Sequence, residues 1–303
     1  MKPDLEQELV GHAMRIGADV NLVQGAGGNI SVKIGKSVLV KASGKQLIQA
    51  TTQEIFLKID IDGLQQQQIL DRDNFLDLVI PSDSETNHLT PSIETNLHLL
   101  MPQVCVTHIH SLSSIMFGFI DLESHSQEER DFEHRLDHLN YGRPGRDIAG
   151  MIAKLSLPDV EIVILKNHGS IFVGQNFNEI EGMIQRFEIF ALDLIASLPL
   201  NDSFPTWLEI LTGGVMTPDE AVFLGRNPFS FDSGERINSV IVGTEGILSF
   251  PEKFNSDQVK IAEFYVLVAR HMHRKIVPEY LPADEVETLL GWEKEKIRIA
   301  MSE

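Results

Sequence analysis

The sequence predicts an α/β fold in which helices and strands alternate along a chain of 303 residues. Apolar residues between positions 4 and 20 recur at helical spacing, which indicates an amphipathic helix. The alternating runs NISVKI and SVLVKA follow a glycine-rich turn and indicate a β-hairpin. Further along, the apolar run VEIVILKN precedes the long amphipathic pattern NEIEGMIQRFEIFALDLIASL, so a strand is again followed by a helix.

The middle of the chain continues this alternation. Residues 46–80 combine the short strand EIFLKID, the polar QQQQ tract and a further apolar run, which we interpret as a surface excursion beside an edge strand. Residues 92–101 predict a helix, VCVTHIH predicts a strand, and SSIMFGF begins a helix or a buried turn. The segment 121–140 is densely charged and is expected to be exposed.

The later elements are predicted from capping and periodicity. GRPGRDIAGMIAKL begins a helix, and Asn178 with Glu181 three residues later is typical of a helix start. Beyond residue 200, NSVIVG and GILSF indicate a strand pair, and residues 256–275 predict a helix.

Composition excludes several classes of function. The 25 Lys and Arg against 44 Asp and Glu give a formal net charge of −19, which argues against nucleic acid or an anionic membrane as the main partner. Cys105 is the single cysteine, so an internal disulfide framework and a multi-cysteine zinc site are excluded. The N-terminus has no apolar signal core and no run of about 18 apolar residues occurs, which predicts a cytoplasmic protein.

The most informative pattern is the pair His108 and His110 in VCVTHIHS. On a strand, side chains i and i+2 project from one face, so two imidazoles can reach one metal ion. His168 follows another apolar run and is expected on a later strand, and three neutral imidazoles with an open fourth position are common at catalytic zinc. The alternative is that these are ordinary core or surface histidines.

Two other histidine pairs serve as comparisons. His271 and His273 have the same spacing but lie in a helical pattern, where positions i and i+2 point to nearly opposite sides. His134 and His138 have helical ligand spacing, but their neighbours are mostly charged, so we interpret this segment as a solvated helix. The predicted strand around His108 and His110, and not their spacing alone, therefore indicates a shared metal site.

Three turns rich in hydrogen-bond donors precede this strand. The turn GAGGN ends at Asn29 and is followed by a strand rather than a helix, so it is not a dinucleotide fingerprint. Its backbone N–H groups can instead form an anion-binding nest. The turn at residues 42–44 and the helix start at residues 91–92 add further donors, and all three turns also fit plain hairpin and capping chemistry.

Glu94 lies at the start of the helix before the histidine strand. If helix and strand pack antiparallel, its carboxylate is near the metal and can act as a ligand or as a base. A glutamate in the first turn also simply suits the helix dipole.

In this order, GAGGN, ASG after a strand, PSxE-x3-H, H-x-H and NHG resemble the class II aldolase and adducin family over residues 5–195. The resemblance is nearest to the aldolase half of bifunctional rhamnulose-phosphate aldolase and alcohol dehydrogenase proteins, and the later TPDEAVFLGRNP is similar to a segment of that half. It implies a three-layer αβα sandwich around a central, mostly antiparallel sheet. Residues 1–200 would form the metal-binding core, and residues 201–303 an extension packed on the same domain.

The resemblance also implies a role for each matching residue. Three histidines would bind Zn2+ or another divalent metal, and Glu94 would be both a fourth ligand and a proton-transfer group. Tyr141 would be an acid supplied to a neighbouring subunit, or it packs beside the following proline. Ile93 stands where fuculose-phosphate aldolase has a second serine, which removes one phosphate donor. The implied metal ligands are His108, His110, His168 and Glu94, and the implied phosphate-binding residues are Gly28, Asn29, Ser43, Gly44 and Ser92.

The function implied is a zinc-dependent lyase that cleaves or forms a carbon–carbon bond in a phosphorylated ketose through a metal-stabilised enediolate. An epimerase, dehydratase or decarboxylase of the same family is the nearer alternative, and a non-catalytic, adducin-like binding protein is the more distant one. Family resemblance further implies a homo-oligomer, specifically a tetramer, because a tyrosine is needed from a neighbouring subunit.

Overall fold

The computed structural model describes residues 4–81, 89–120, 132–231, 239–243 and 247–293. Within these ranges a seven-stranded sheet lies at the centre of the molecule. Its strands are β1 (Asn29–Ile34), β2 (Ser37–Lys41), β3 (Phe56–Asp60), β4 (Cys105–Ile109), β5 (Leu136–Leu139), β6 (Ile162–Leu165) and β7 (Gly169–Gly174).

The strand order is β3-β2-β1-β4-β7-β6-β5. Every neighbouring pair is antiparallel except β5 and β6, which are parallel. The strand EIFLKID forms the edge strand β3, as expected, and the QQQQ tract leads into a short helix beyond it. The predicted mixed α/β fold with a central, mostly antiparallel sheet is confirmed.

Helices cover the sheet on both faces. They are α1 (Leu5–Gly17), α2 (Gln66–Asp71), α3 (Thr95–Leu100), α4 (Leu112–Phe117), α5 (Arg146–Ile152), α6 (Phe177–Ser197), α7 (Trp207–Gly213), α8 (Pro218–Leu224), α9 (Ser256–Met272) and α10 (Ala283–Gly291), with single 3-10 turns at Leu47–Thr51, Leu76–Leu78 and Leu157–Asp159. None of the helices in the described ranges combines the length and apolar character that crossing a bilayer requires.

The two faces of β4 belong to different apolar clusters because side chains alternate along a strand. Cys105 and Ile109 pack in the larger cluster, which also contains residues of α1, α4, α6 and α9. Val106 packs in the second cluster with residues of α3 and α5. His108 shares the face of Val106, so the histidine side chains project toward α3 rather than toward α1.

Residues beyond 200 pack against the same core. Ile261 and Ala262 of α9 lie in the larger cluster together with Ile30 and Val32 of β1. A small second sheet, in the order β10-β9-β8, is formed by β8 (Phe229–Ser230), β9 (Val240–Val242) and β10 (Leu248–Ser249). The predicted strand pair corresponds to β9 and β10, which are antiparallel.

Two local predictions are wrong. The helix predicted around His134 and His138 is a strand over its described part, because Leu136–Leu139 pairs in parallel with β6 and this tertiary pairing outweighs the local charge pattern. Residues 121–131 of the charged segment lie outside the described ranges. The cap of α6 is Asn176, whose side chain accepts a hydrogen bond from the backbone of Glu179, and not Asn178.

Candidate metal centre

Four buried side chains converge at the end of β4. Glu94, His108, His110 and His168 each offer one ligand atom, and these atoms lie within 4.8 Å of one another. Nε2 of His108 lies 3.0 Å from Nε2 of His110 and 3.4 Å from Nε2 of His168. The carboxylate oxygens of Glu94 lie 3.5 Å from Nε2 of His108 and 3.5 Å from Nε2 of His168. Three ring nitrogens and a carboxylate therefore face one small volume.

This arrangement fits a divalent cation. Imidazole nitrogens and a carboxylate are ordinary ligands of Zn2+ and similar ions, and three histidines leave one position for a further ligand. Oε1 of Glu94 is buried and has no hydrogen-bond partner, which is costly unless another group satisfies it. A cation between the carboxylate and the rings would do so.

Strand geometry places the first two histidines. His108 belongs to β4, and His110 is the first residue after this strand. The two histidines are two positions apart, so both project from the same face. The backbone N–H of His110 donates to the carbonyl of Leu22 at 3.0 Å, which fixes the chain just past the end of the strand. Nδ1 of His108 lies 2.9 Å from the backbone oxygen of Ser170 on the adjacent strand β7.

His168 lies in the turn between β6 and β7 rather than on a strand, which corrects the position expected from sequence. Its neighbour Asn167 has a φ of 59°, a left-handed conformation that asparagine tolerates better than most residues. This residue turns the chain so that His168 faces the pair on β4. Gly169 follows, and a methyl group there would overlap the backbone oxygen of Ile109.

We expect Gly169→Ala to destabilise the protein by about 1–3 kcal/mol and to weaken metal binding, because the turn must move away from β4. Gly150→Ala is the matched control, since a Cβ at Gly150 in α5 meets no atom within 4 Å. That control should be neutral or stabilising, as alanine favours a helix over glycine. Thermal unfolding of both variants tests this, and equal stability of the two would contradict it.

Glu94 directs its side chain away from the helix it begins. It occupies the N-cap of α3 but makes no capping hydrogen bond. Instead Oε2 accepts a hydrogen bond of 2.8 Å from Nδ2 of Asn29, which is paired with His108 across β1 and β4. Burial raises the pKa of Glu94, but the nearby histidines and the Asn29 hydrogen bond outweigh it and lower the pKa to about 2.

Two of the three histidines, His108 and His168, are held in the neutral form that binds metals. Burial is the largest effect on His168 and lowers its pKa to about 3, with a further lowering from the neighbouring histidines. Burial likewise lowers the pKa of His108. At neutral pH these rings are uncharged and their nitrogens can donate to a cation.

His98 supports Glu94 through Asn29, a role that was not predicted from the sequence. Nε2 of His98 contacts Oδ1 of Asn29, and Nδ1 of His98 lies 2.8 Å from Oγ of Ser31. The amide of Asn29 is therefore fixed on both sides, with its nitrogen directed at Glu94. The four-residue spacing from Glu94 to His98 was the sequence signal for this contact.

The three donor turns meet the metal cluster in one cavity of about 20 Å³. A cavity of this size accommodates an ion or a water molecule. Its lining includes Glu94, His110 and His168 of the cluster. It also includes the five implied phosphate-binding residues Gly28, Asn29, Ser43, Gly44 and Ser92. Ile93, which lacks a hydroxyl, also lines it.

Lys41 adds a positive charge to this cavity and was not identified from the sequence. Its side chain is buried, and Nζ donates to the backbone oxygens of Ala26 at 2.9 Å and Lys45 at 2.5 Å. It sits at the end of β2, directly before the turn at residues 42–44. An anionic substrate at these turns would therefore meet a cation as well as neutral donors.

Tyr141 is not part of the cavity lining. Its hydroxyl donates to Oε1 of Glu285 at 2.7 Å, and Arg143 forms a two-pronged ion pair with the same carboxylate. Burial and this hydrogen bond raise the pKa of Tyr141. Within this chain the tyrosine is thus attached to α10, apart from the four converging side chains.

A further carboxylate reaches the cluster from beyond residue 200. Oδ2 of Asp219, in α8, lies 2.7 Å from Nδ1 of His110. Asp219 lies in TPDEAVFLGRNP, a segment whose sequence predicts no role for it. Nothing in its local pattern shows that this segment lies beside β4, since the contact spans 109 positions in the chain.

Comparison with protein families identifies the family to which the chain belongs. The model of the class II aldolase and adducin N-terminal domain matches residues 8–191, more than half of the chain. The chain belongs to the class II aldolase and adducin family. The match covers the donor turns, Glu94 and the three histidines, and it ends before Asp219.

Individual relatives of this class II aldolase family member have low sequence identity to it. The chain is 25% identical to L-fuculose phosphate aldolase of Methanocaldococcus jannaschii over 189 residues, which covers 58% of this chain and 91% of that one. It is 28% identical to the uncharacterized oxidoreductase YuxG of Bacillus subtilis over 206 residues, or 62% of this chain. That second match spans only 30% of the relative's length.

A solved structure supports the fold. The N-terminal class II aldolase domain of a conserved protein from Thermoplasma acidophilum is 23% identical and has a TM-score of 0.52. The similarity covers 64% of this chain and 95% of that domain. The special resemblance to bifunctional rhamnulose-phosphate aldolase proteins stays a prediction, as does the division of the chain at residue 200.

Proposed function

We propose that this class II aldolase family member is a zinc-dependent aldolase that cleaves or forms a carbon–carbon bond in a phosphorylated ketose. The observation that carries the proposal is a single cavity in which three donor turns meet a buried cluster of three histidines and one glutamate, with His110, His168 and Glu94 of that cluster in the lining. The cluster suits an electrophilic cation, and the turns suit an anionic group some distance from it.

His108, His110 and His168 would hold the cation through their Nε2 atoms, which face one another. When bound, a divalent cation would supply Lewis-acid stabilisation of the negative charge that develops on the substrate carbonyl oxygen. Burial keeps water away from the three rings, and it lowers the pKa of His108 and His168 so that these two rings are neutral at pH 7.

Glu94 would move the proton at the reacting carbon. It would be ionised at neutral pH, and Oε1, which has no competing hydrogen bond, would be the atom that accepts the proton. Asn29 holds the other oxygen and thereby fixes the orientation of the carboxylate. A carboxylate with one fixed and one free oxygen is suited to proton transfer over a short distance.

The turns would bind the phosphate. Gly28 and Gly44, both with positive φ, and the hydroxyl-bearing residues Ser43 and Ser92 line the cavity. Lys41 contributes the charge that a phosphate requires. Since Ile93 supplies no hydroxyl, phosphate affinity rests on fewer side-chain donors than in fuculose-phosphate aldolase, which the sequence resembles here.

Tyr141 would serve as the acid at the aldehyde oxygen in a neighbouring copy of the chain, within a homotetramer. Its attachment to Glu285 and its absence from the cavity of its own chain support a role outside that chain. Arg143, bound to the same carboxylate, would accompany it.

The test is a screen of ketose 1-phosphates for retro-aldol products, with and without a chelator, and with products identified by NMR. We expect dihydroxyacetone phosphate and an aldehyde, formed only when metal is present. His271→Ala is the matched control, because His271 lies on α9 and its ring contacts only the carbonyl of Leu267 among its described partners. Epimerised, dehydrated or decarboxylated products, or product formation unaffected by the chelator, would overturn the proposal.

A further inference from the structure

We infer that Asp219 is a positioning residue for His110, which makes the segment beyond residue 200 part of the metal centre. The inference rests on the proposed metal site but not on the reaction catalysed there. Asp219 lies 28 residues past the end of the family match.

The geometry defines what Asp219 does. Its Oδ2 lies 2.7 Å from Nδ1 of His110, while Nε2 of the same ring lies 3.0 Å from Nε2 of His108. An ionised carboxylate only accepts hydrogen bonds, so an ionised Asp219 would hold the ring proton on Nδ1. The lone pair of Nε2 is then free and points into the cluster, and the carboxylate raises the basicity of that nitrogen.

The other ligand on β4 is oriented in the same way. Nδ1 of His108 lies 2.9 Å from the backbone oxygen of Ser170, again leaving Nε2 for the cluster. His110 lies just past the strand, where β7 offers no such carbonyl to it among the described contacts. Asp219 of α8 thus provides the hydrogen-bond acceptor for Nδ1 of His110. The backbone oxygen of Ser170 in the sheet does the same for Nδ1 of His108.

The glycine-rich turn GAGGN leaves space for the side chains of Asp219 and His110. A Cβ at Gly27 would lie 2.9 Å from Oδ2 of Asp219 and 3.1 Å from Nδ1 of His110. Both distances are shorter than ordinary van der Waals contact. The absence of a side chain at Gly27 therefore leaves room for the carboxylate and the imidazole to meet, which is a second observation independent of the hydrogen bond.

The segment that carries Asp219 is tied to the turn that carries His168. Nδ2 of Asn167 donates to the backbone oxygens of Met216 at 2.7 Å and Glu279 at 2.6 Å. The hydroxyl of Thr217 then caps α8 by accepting from the backbone of Glu220 at 3.2 Å. Asn167, the residue next to His168, thus fixes the backbone just before Asp219. The side chain of Asp219 is buried.

The test is the dissociation constant of Zn2+ or Co2+ for Asp219→Asn and for the wild-type protein, measured by competition with a chelating dye. Loss of an outer-shell carboxylate typically weakens metal affinity 10–100-fold, and we expect a change in that range. Glu220→Gln is the matched control. Burial raises the pKa of Glu220 to about 8, so the amide mimics its neutral acid, and we expect wild-type affinity.

A second measurement does not depend on the variant folding. In the metal-loaded wild-type protein, 15N spectra of labelled histidine should show His110 protonated at Nδ1 and bound through Nε2. Binding through Nδ1, or unchanged affinity in folded Asp219→Asn, would overturn the inference alone. Metal binding without carbon–carbon cleavage would overturn only the proposed reaction, and a wild-type protein that binds no divalent metal would overturn both.

Discussion

Replacing His168 with alanine should remove stoichiometric divalent metal from the protein and reduce aldol activity to background. Its Nε2 lies 3.4 Å from Nε2 of His108 and 3.5 Å from Glu94, so its loss opens one side of the cluster. Removing a ligand should cost more than the roughly 10–100-fold in affinity that loss of an outer-shell partner costs.

His168 is the best ligand for this test because its removal disturbs little else. Its Nδ1 has no hydrogen-bond partner in the described structure, whereas His108 and His110 are each bonded through Nδ1. A folded protein is therefore expected, and a circular dichroism spectrum like that of the wild type checks this. Elemental analysis then gives the metal content, with His271→Ala as the control that should keep its metal. Wild-type metal content in folded His168→Ala would contradict the assignment.

Glu94→Gln should lower kcat by about 10²–10⁴-fold while the protein keeps most of its metal, because the amide cannot take up the proton but the three histidines remain. Asn29 can still donate to the amide oxygen, so the side chain should keep its orientation. Steady-state kinetics at saturating metal separates this effect from weaker metal binding.

The pattern of the kinetic constants distinguishes a chemical role from a binding role for Glu94. A proton-transfer group should affect kcat far more than KM, whereas a residue that only binds substrate should mainly raise KM. Ser92→Ala is the matched comparison, since Ser92 lines the same cavity on the phosphate side and should chiefly raise KM. A Glu94→Gln variant with wild-type kcat would show that the carboxylate is not the proton-transfer group.

Much of the core could be predicted from sequence because its signals are local. The hairpin of β1 and β2, the strand β4 and the long helix α6 each follow from periodicity within one segment. The shared face of His108 and His110 follows from the period of a strand, and Glu94 was placed correctly at a helix start.

The errors and omissions arise where distant segments meet. β5 carries a charged pattern that favours an exposed helix, yet pairing with β6 makes it a strand. His168 was expected on a strand because it follows an apolar run, but Asn167 turns the chain first. Asp219 and Lys41 reach the site only through tertiary packing, and no local pattern marks them.

We propose that this member of the class II aldolase and adducin family holds a catalytic divalent cation between three histidines. Elemental analysis of the purified wild-type protein shows whether the cation is present, and chelation followed by return of one metal at a time shows whether activity depends on it. We predict about one divalent ion per chain, with activity that is lost on chelation and restored by zinc. A fully active protein without a divalent metal would contradict the claim.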